Sequence, residues 1–239
     1  MGKRIILALL AGLILSSVVS AEETKSVRAT RKWVQQNGHV ILQDFTRLLS
    51  MPNVAANRKD IRKNAEYISN LFQKRGFDMQ LLELEEANPI VYGEYKVPGA
   101  IRTLCFYVHY DGQPVDPTKW THGPFNPVLY SGAMDKGGKE IALPGKGDKI
   151  DPEWRIYGRS AGDDKAPIIT ILNAVDALQS SKIGFTSNIK LFFEGEEEAG
   201  STNLKAHLLK HKDLLDDIDI WLFCDGPVHQ SRRPQLVFD

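Results

Sequence analysis

The sequence is poor in cysteine and has no surplus of either charge. Its 239 residues include two cysteines, and 30 basic residues balance 30 acidic ones. Two cysteines cannot build a disulfide framework, and Cys105 and Cys224 lie inside predicted strands, where we expect buried free thiols. A neutral chain also lacks the basic surplus typical of nucleic-acid-binding proteins, so we expect no nucleic-acid partner.

Long apolar runs are lacking as well. The apolar stretch at residues 5–15 is shorter than the roughly 20 residues that a membrane-spanning helix needs, so we expect no stable membrane span. Two basic residues precede it and the small residues 19–21 follow it, which is the order of a secretory signal peptide. We therefore expect residues 1–21 to be cleaved, residues 22–239 to form the mature domain, and the protein to be secreted or periplasmic.

Short apolar runs alternate with helical patterns along the rest of the chain. The predicted helices span 24–50, 57–75, a segment from Pro167 and 202–210, and the predicted strands span 79–85, 90–95, 103–108, 154–157, 189–193, 218–224 and 235–238. This alternation predicts an α/β fold with a mostly parallel or mixed sheet flanked by helices. Gly38 is predicted to weaken the first helix and Ser201 to cap the fourth. Residues 114–151 are predicted to be irregular, and they lack the spacing of a phosphate-binding loop.

Side chains of the kind that bind metals lie in four of the connections between these elements. They are His109 and Asp111, Asp163 and Asp164, Glu197 and Glu198, and Asp225. Residues two apart in an extended chain point the same way, so His109 and Asp111 are expected to face one site. The carboxyl ends of strands meet at one edge of an α/β sheet, and several anions gathered there need a cation.

The motifs around these residues resemble the metal-site motifs of the M20 family of co-catalytic zinc peptidases. The motifs are His109-Tyr-Asp-Gly-Gln-Pro114, Gly158-Arg-Ser-Ala-Gly-Asp-Asp-Lys165, Glu194-Gly-Glu-Glu-Glu-Ala-Gly-Ser201 and Asp225. That family includes carnosinase-like dipeptidases, glutamate carboxypeptidases, succinyl-diaminopimelate desuccinylases and aminoacylases. Residues 120–128 look most like the dipeptidase branch.

The resemblance implies two divalent metal ions, zinc in the first instance, with manganese or cobalt as alternatives. His109, Asp163 and Asp225 would bind one ion, and Asp163 would bridge to a second ion that is also bound by Glu198. It further implies a cis peptide bond between Asp163 and Asp164. The chain departs from the family pattern at Ser160, where a glycine is usual, and at Ala166, where another glycine is usual.

The resemblance implies that Asp111 orients His109 and that Glu197 is the general base in the hydrolysis of a peptide bond in dipeptides or short peptides. Two alternatives stay open, an amidohydrolase acting on N-acyl amino acids and a non-catalytic metal-binding domain. Glu197 argues against the second alternative, because metal binding alone does not need it beside Glu198.

The resemblance also predicts what the sequence does not supply. Family members carry a lid and dimerisation domain after the position of the strand 235–238, and then a last histidine ligand for the second metal. We therefore expect an incomplete catalytic domain with one tightly bound metal and weak or no activity. His229 is the first candidate to replace the missing ligand, and His207 and His211 are expected to lie on a solvated helix face.

Overall fold

The computed structural model describes residues 23–226, which form a mixed α/β structure. The helices are α1 (Lys25–Leu49), α2 (Arg58–Gln73), α3 (Lys165–Ser180) and α4 (Leu204–Lys210). The strands are β1 (Asp78–Leu82), β2 (Ile90–Tyr95), β3 (Thr103–His109), β4 (Val128–Tyr130), β5 (Glu140–Ile141), β6 (Arg155–Tyr157), β7 (Asn188–Glu194) and β8 (Ile220–Phe223). The predicted signal peptide, His229 and the predicted strand 235–238 lie outside the described residues.

The main sheet has five strands in the order β1-β2-β7-β3-β8. Strands β7, β3 and β8 are parallel, whereas β2 and β1 continue the sheet antiparallel. The predicted α/β class with a mixed sheet flanked by helices is confirmed. The three parallel strands bring their carboxyl ends to one edge, which is where ligands bind in such sheets.

The core lies on both faces of this sheet, because side chains alternate between the faces along each strand. Along β7, Leu191 and Phe193 belong to the cluster beneath the long helices, whereas Phe192 belongs to the cluster on the other face. The first cluster contains Ile68 from α2 and Leu172 from α3, and both side chains are almost fully buried. The long helices thus cover one face of the sheet. Among the described residues, no helix has the length and apolar character needed to cross a lipid bilayer.

A second, small sheet interrupts the stretch that was predicted to be irregular. Strand β4 lies between β5 and β6 and pairs antiparallel with both. The prediction was therefore wrong for residues 128–130 and 140–141. Strands of two or three residues are too short to show a period-2 pattern, so the sequence offered little signal for them.

Two local predictions for glycine and serine were wrong. Helix α1 continues through Gly38, and a Cβ at this position would lie 2.5 Å from Ile150 Cγ1, so the glycine permits close packing. Ser201 does not cap α4, because that helix begins at Leu204 after Asn203, and Ser201 itself has a positive φ of 50°.

The two helical histidines and the two cysteines can be compared with their predictions. His207 is 1% exposed and its Nε2 lies 3.2 Å from the carbonyl oxygen of Asn88, so the predicted solvated face is wrong for this residue. Burial lowers the pKa of His207. Cys105 and Cys224 are free thiols, as predicted, but Cys224 is only partly buried and follows β8, so the predicted burial within a strand is confirmed for Cys105 and wrong for Cys224. Burial raises their pKa values to about 12 and about 11.

Candidate metal centre

Three potential metal ligands meet at the carboxyl edge of the parallel strands. His109 is the last residue of β3 and is fully buried, Asp225 follows β8, and Asp163 lies in the turn before α3. Nε2 of His109 lies 2.7 Å from Oδ1 of Asp163 and 3.7 Å from Oδ2 of Asp225. The three ligand atoms lie within 4.8 Å of one another. Among residues 23–226, this trio is the group of three or more such side chains that could hold a metal ion.

The chemistry of the donors fits a divalent cation. Oε2 of Glu197 also lies 3.7 Å from Nε2 of His109, so this ring nitrogen faces three carboxylates. Carboxylates this close repel one another unless a cation lies between them. One imidazole nitrogen and two carboxylate oxygens form the kind of three-residue ligand set that catalytic zinc sites use. The side chains of Asp163 and Asp225 are 68% and 37% exposed, so the site is open to solvent.

The electrostatics of the buried side chains follow from this crowding. Burial alone would lower the pKa of His109, but Asp111, Asp164 and Asp163 outweigh it and raise the pKa to about 10. Burial raises the pKa of Asp164 to about 8, and its Oδ2 accepts a hydrogen bond from the backbone N–H of His109 at 3.3 Å. A metal ion at Nε2 competes with the proton that these carboxylates stabilise, so metal binding is expected to release protons.

Asp111 contacts both the histidine and the loop after β7. Its Oδ1 lies 3.4 Å from Nδ1 of His109, and it is fully buried. The backbone N–H groups of Glu197 and Glu198 donate to Oδ1 and Oδ2 of Asp111 at 3.2 and 3.0 Å. One carboxylate therefore contacts the ring on one side and, on the other, the turn of residues 196–198, called the acidic turn below.

The two neighbouring glutamates of this turn point to different partners. Glu197 faces the metal trio, whereas Oε2 of Glu198 accepts a hydrogen bond from Nε2 of Gln113 at 2.6 Å. Burial raises the pKa of Glu197; His109 opposes this effect, and Asp225 and Glu198 add to it. A carboxyl group whose pKa is raised is a better proton acceptor when ionised. Glu198 is not part of the trio within 4.8 Å.

The peptide bond between Asp163 and Asp164 is cis, as the resemblance implies. The adjoining Lys165 begins α3 and is fully buried, and its Nζ donates to the carbonyl oxygens of Leu48 and Met51 at 2.9 and 3.0 Å. Burial lowers the pKa of Lys165 to about 7. This lysine ties the aspartate pair to the end of α1.

Two buried asparagines that the sequence patterns did not reveal support these loops. The backbone N–H of Asn88 donates to Oε1 of Glu196 at 2.7 Å, and its Nδ2 donates to the carbonyl oxygens of Ala55 and Gly195 at 2.9 Å each. Asn53 makes comparable contacts next to His109. Single asparagines before and between elements look like ordinary turn residues, so no sequence signal distinguishes them.

Replacing Gly195 with Ala is expected to destabilise the protein by about 1–3 kcal/mol, because a Cβ would overpack the loop. That Cβ would lie 2.6 Å from the hydroxyl oxygen of Tyr110 and 3.3 Å from Cβ of Asn88. Urea denaturation of the variant measures the change. Gly132→Ala is the control, since nothing lies within 4 Å of its added Cβ. Equal stability of the two variants would contradict the expectation.

The sequence around this site matches a known protein family. Residues 105–233 match the family described as peptidase family M20/M25/M40, and this match covers more than half of the chain. The chain belongs to peptidase family M20. The match includes each of the residues that the trio and the acidic turn contribute.

Three relatives show how far the similarity extends. The chain is 30% identical over 216 residues to the Cys-Gly metallodipeptidase DUG1 of Candida albicans, a match that covers 82% of this chain and 40% of that protein. It is 29% identical to the human Beta-Ala-His dipeptidase, covering 63% of this chain and 26% of that protein. The structure of the M20 family metallo-carboxypeptidase Sso-CP2 from Sulfolobus solfataricus superimposes with a TM-score of 0.64 and 30% identity, covering 82% of this chain and 39% of that one. The chain thus spans at most about two-fifths of the length of these M20 relatives.

Proposed function

We propose that this chain carries the site of a metal-dependent dipeptidase, which hydrolyses the peptide bond of dipeptides or short peptides. The observation that carries the proposal is the convergence of His109, Asp163 and Asp225, with Glu197 3.7 Å from the same ring nitrogen. Two M20 relatives with dipeptidase names support the dipeptide as the substrate class.

The residues of the site divide the chemistry between them. His109, Asp163 and Asp225 would hold a divalent ion, which when bound polarises the peptide carbonyl and makes water more acidic. Glu197 accepts the proton of the attacking water and donates it to the leaving amine nitrogen. Asp111 keeps the imidazole of His109 and the Glu197 turn in a fixed relation through its three contacts. The exposed side of the site admits the substrate.

We further propose that the 239-residue polypeptide binds about one divalent ion tightly. The trio supplies three ligands, which is the protein complement of a catalytic zinc site. A second ion would have Asp163 and Glu198, and Glu198 is turned toward Gln113. After zinc loading and dialysis, elemental mass spectrometry is expected to find about one zinc per chain. Retention of two zinc ions per chain would contradict the proposal. His229 would then be the first residue to mutate, as the candidate for the additional ligand.

Hydrolysis by this polypeptide is expected to be weak, because only one of the two ions is tightly held. Alanyl- and histidyl-dipeptides test the proposed class, and N-acyl amino acids test the amidohydrolase alternative. The rate on dipeptides should vanish with a chelator and return with zinc. Faster turnover of N-acyl amino acids would favour the alternative, and binding of zinc without turnover of either substrate would favour a metal-binding domain.

We also propose that the protein is exported. Support comes from the order of the first residues: a basic pair, an apolar stretch and the small residues 19–21. Mass spectrometry of the secreted or periplasmic protein is expected to give Glu22 as the N-terminus. An intact Met1 on a product in the membrane fraction would contradict this and favour an anchor.

A further inference from the structure

A buried asparagine outside the metal trio joins two of the loops that supply it. Asn53 is fully buried and follows α1. Its Nδ2 donates to the carbonyl oxygen of Tyr110 at 2.8 Å and to Oγ of Ser160 at 3.0 Å. The backbone carbonyl oxygen of Asn53 accepts a hydrogen bond from the backbone N–H of Gly112 at 2.8 Å. Asn53 therefore contacts the loop of His109 by two bonds and the loop before α3 by one.

Ser160 stands in a conformation that favours glycine. Its φ is 60°, which is unfavourable for a residue with a Cβ, and the residue is 4% exposed. The hydroxyl of Ser160 fits against Gly112, where a Cβ would lie 2.5 Å from Oγ of Ser160. The hydroxyl thus makes a specific contact in a place where glycine would be the unstrained choice.

A short hydrogen-bonded loop connects Ser160 to Asp163. The backbone N–H of Lys165 donates to the carbonyl oxygen of Ser160 at 3.0 Å, and this bond closes the short loop that carries Asp163. On the other side, Asn53 is bonded to Tyr110, the neighbour of His109. Through its bonds to Tyr110 and Ser160, Asn53 therefore bridges the same two loops that the 2.7 Å contact between His109 and Asp163 joins.

We propose that the hydrogen bond between Asn53 and Ser160 positions Asp163 relative to His109 and so sets the affinity of the site for a divalent metal. Both are positioning residues, because neither is a member of the metal trio. The proposal rests on the metal binding proposed above for the trio. Supporting residues around metal ligands commonly change affinity by about 10–100-fold when they are replaced.

Two variants of Ser160 separate positioning from stability. Ser160→Ala loses the hydroxyl and keeps the unfavourable φ, so the metal-free protein should melt at a lower temperature. Ser160→Gly also loses the hydroxyl but relieves the φ, so its melting temperature should stay closer to that of the wild type. Both variants are expected to bind zinc about 10-fold more weakly, as measured by competition with a chromophoric chelator.

Lys182→Gly is the matched control. Lys182 has a φ of 54° in the connection after α3, so glycine relieves the same kind of conformation outside the metal site. Its zinc affinity should equal that of the wild type. Melting is followed by circular dichroism on metal-free protein, and zinc binding is measured at a temperature where every variant is folded.

The outcomes distinguish this inference from the proposal beneath it. Equal zinc affinity of the wild type and both Ser160 variants would overturn the inference. Weaker binding in Ser160→Ala alone would also overturn it, since affinity would then follow stability. A wild-type chain that binds no zinc, or a His109→Ala variant that binds zinc equally well, would instead refute the proposed metal site.

Discussion

Replacing Glu197 with Gln is expected to lower peptide hydrolysis by about 10²–10⁴-fold while the metal stays bound. Gln keeps the size of the side chain but cannot accept the proton of the attacking water. The carboxylate of Glu197 faces the trio without belonging to it, since His109, Asp163 and Asp225 are the side chains whose ligand atoms converge. Its loss should therefore affect turnover much more than metal binding.

The measurement needs a form with brisk turnover. We expect a chimera to provide such a form if it joins this chain to the part of a dipeptidase relative that lies outside the aligned region. Glu198→Ala is the comparison in the same chimera, because the resemblance gives Glu198 a role in binding the second metal, and it should lose metal together with activity. Full turnover by Glu197→Gln would show that another group is the general base.

Replacing His109 with Ala is expected to weaken zinc binding by more than about 100-fold. Even the supporting partners of metal ligands change affinity by about 10–100-fold, and His109 supplies the one nitrogen donor of the trio. Without it, Asp163 and Asp225 remain as two carboxylates, which hold zinc weakly. Competition with a chelator measures the loss directly in the 239-residue polypeptide.

His207→Gln is the control for this second prediction. His207 is also buried, but it bonds to the carbonyl oxygen of Asn88 and lies outside the metal trio. Its replacement should leave the zinc affinity unchanged. If the two histidine variants lost zinc affinity to a similar degree, general destabilisation would explain the loss. The assignment of His109 as a metal ligand would then be refuted.

The features that the sequence predicted best are those with a strong local pattern. Helix α2 lies close to its predicted range because its apolar residues repeat with the helical period, and strand β2 matches its prediction as a short apolar run. The convergence of His109 and Asp225 could also be anticipated, since parallel strands that end in polar residues place them at one edge. These predictions required only short-range periodicity and one rule of sheet topology.

What the sequence could not supply depends on contacts between distant segments. The partner of Glu198 is Gln113, which lies in another loop, so its orientation is not encoded in the run of glutamates. His207 is buried against the loop of Asn88, which is distant in sequence. Its own helix has only seven residues, too few for a clear apolar pattern. The hydrogen bond of Asn53 likewise goes to Ser160, a residue far away in the sequence. No local pattern carries such pairings.

The contacts of Asp111 with both His109 and the acidic turn have a thermodynamic consequence. The same carboxylate contacts the ring of His109 and the backbone of Glu197, so the order of the acidic turn and the occupancy of the metal site depend on one side chain. Coupling of this kind is reciprocal: if zinc raises the affinity for a peptide that contacts the turn, the peptide raises the affinity for zinc by the same factor. Substrate and metal would then retain each other, and the ion would dissociate most readily between turnovers.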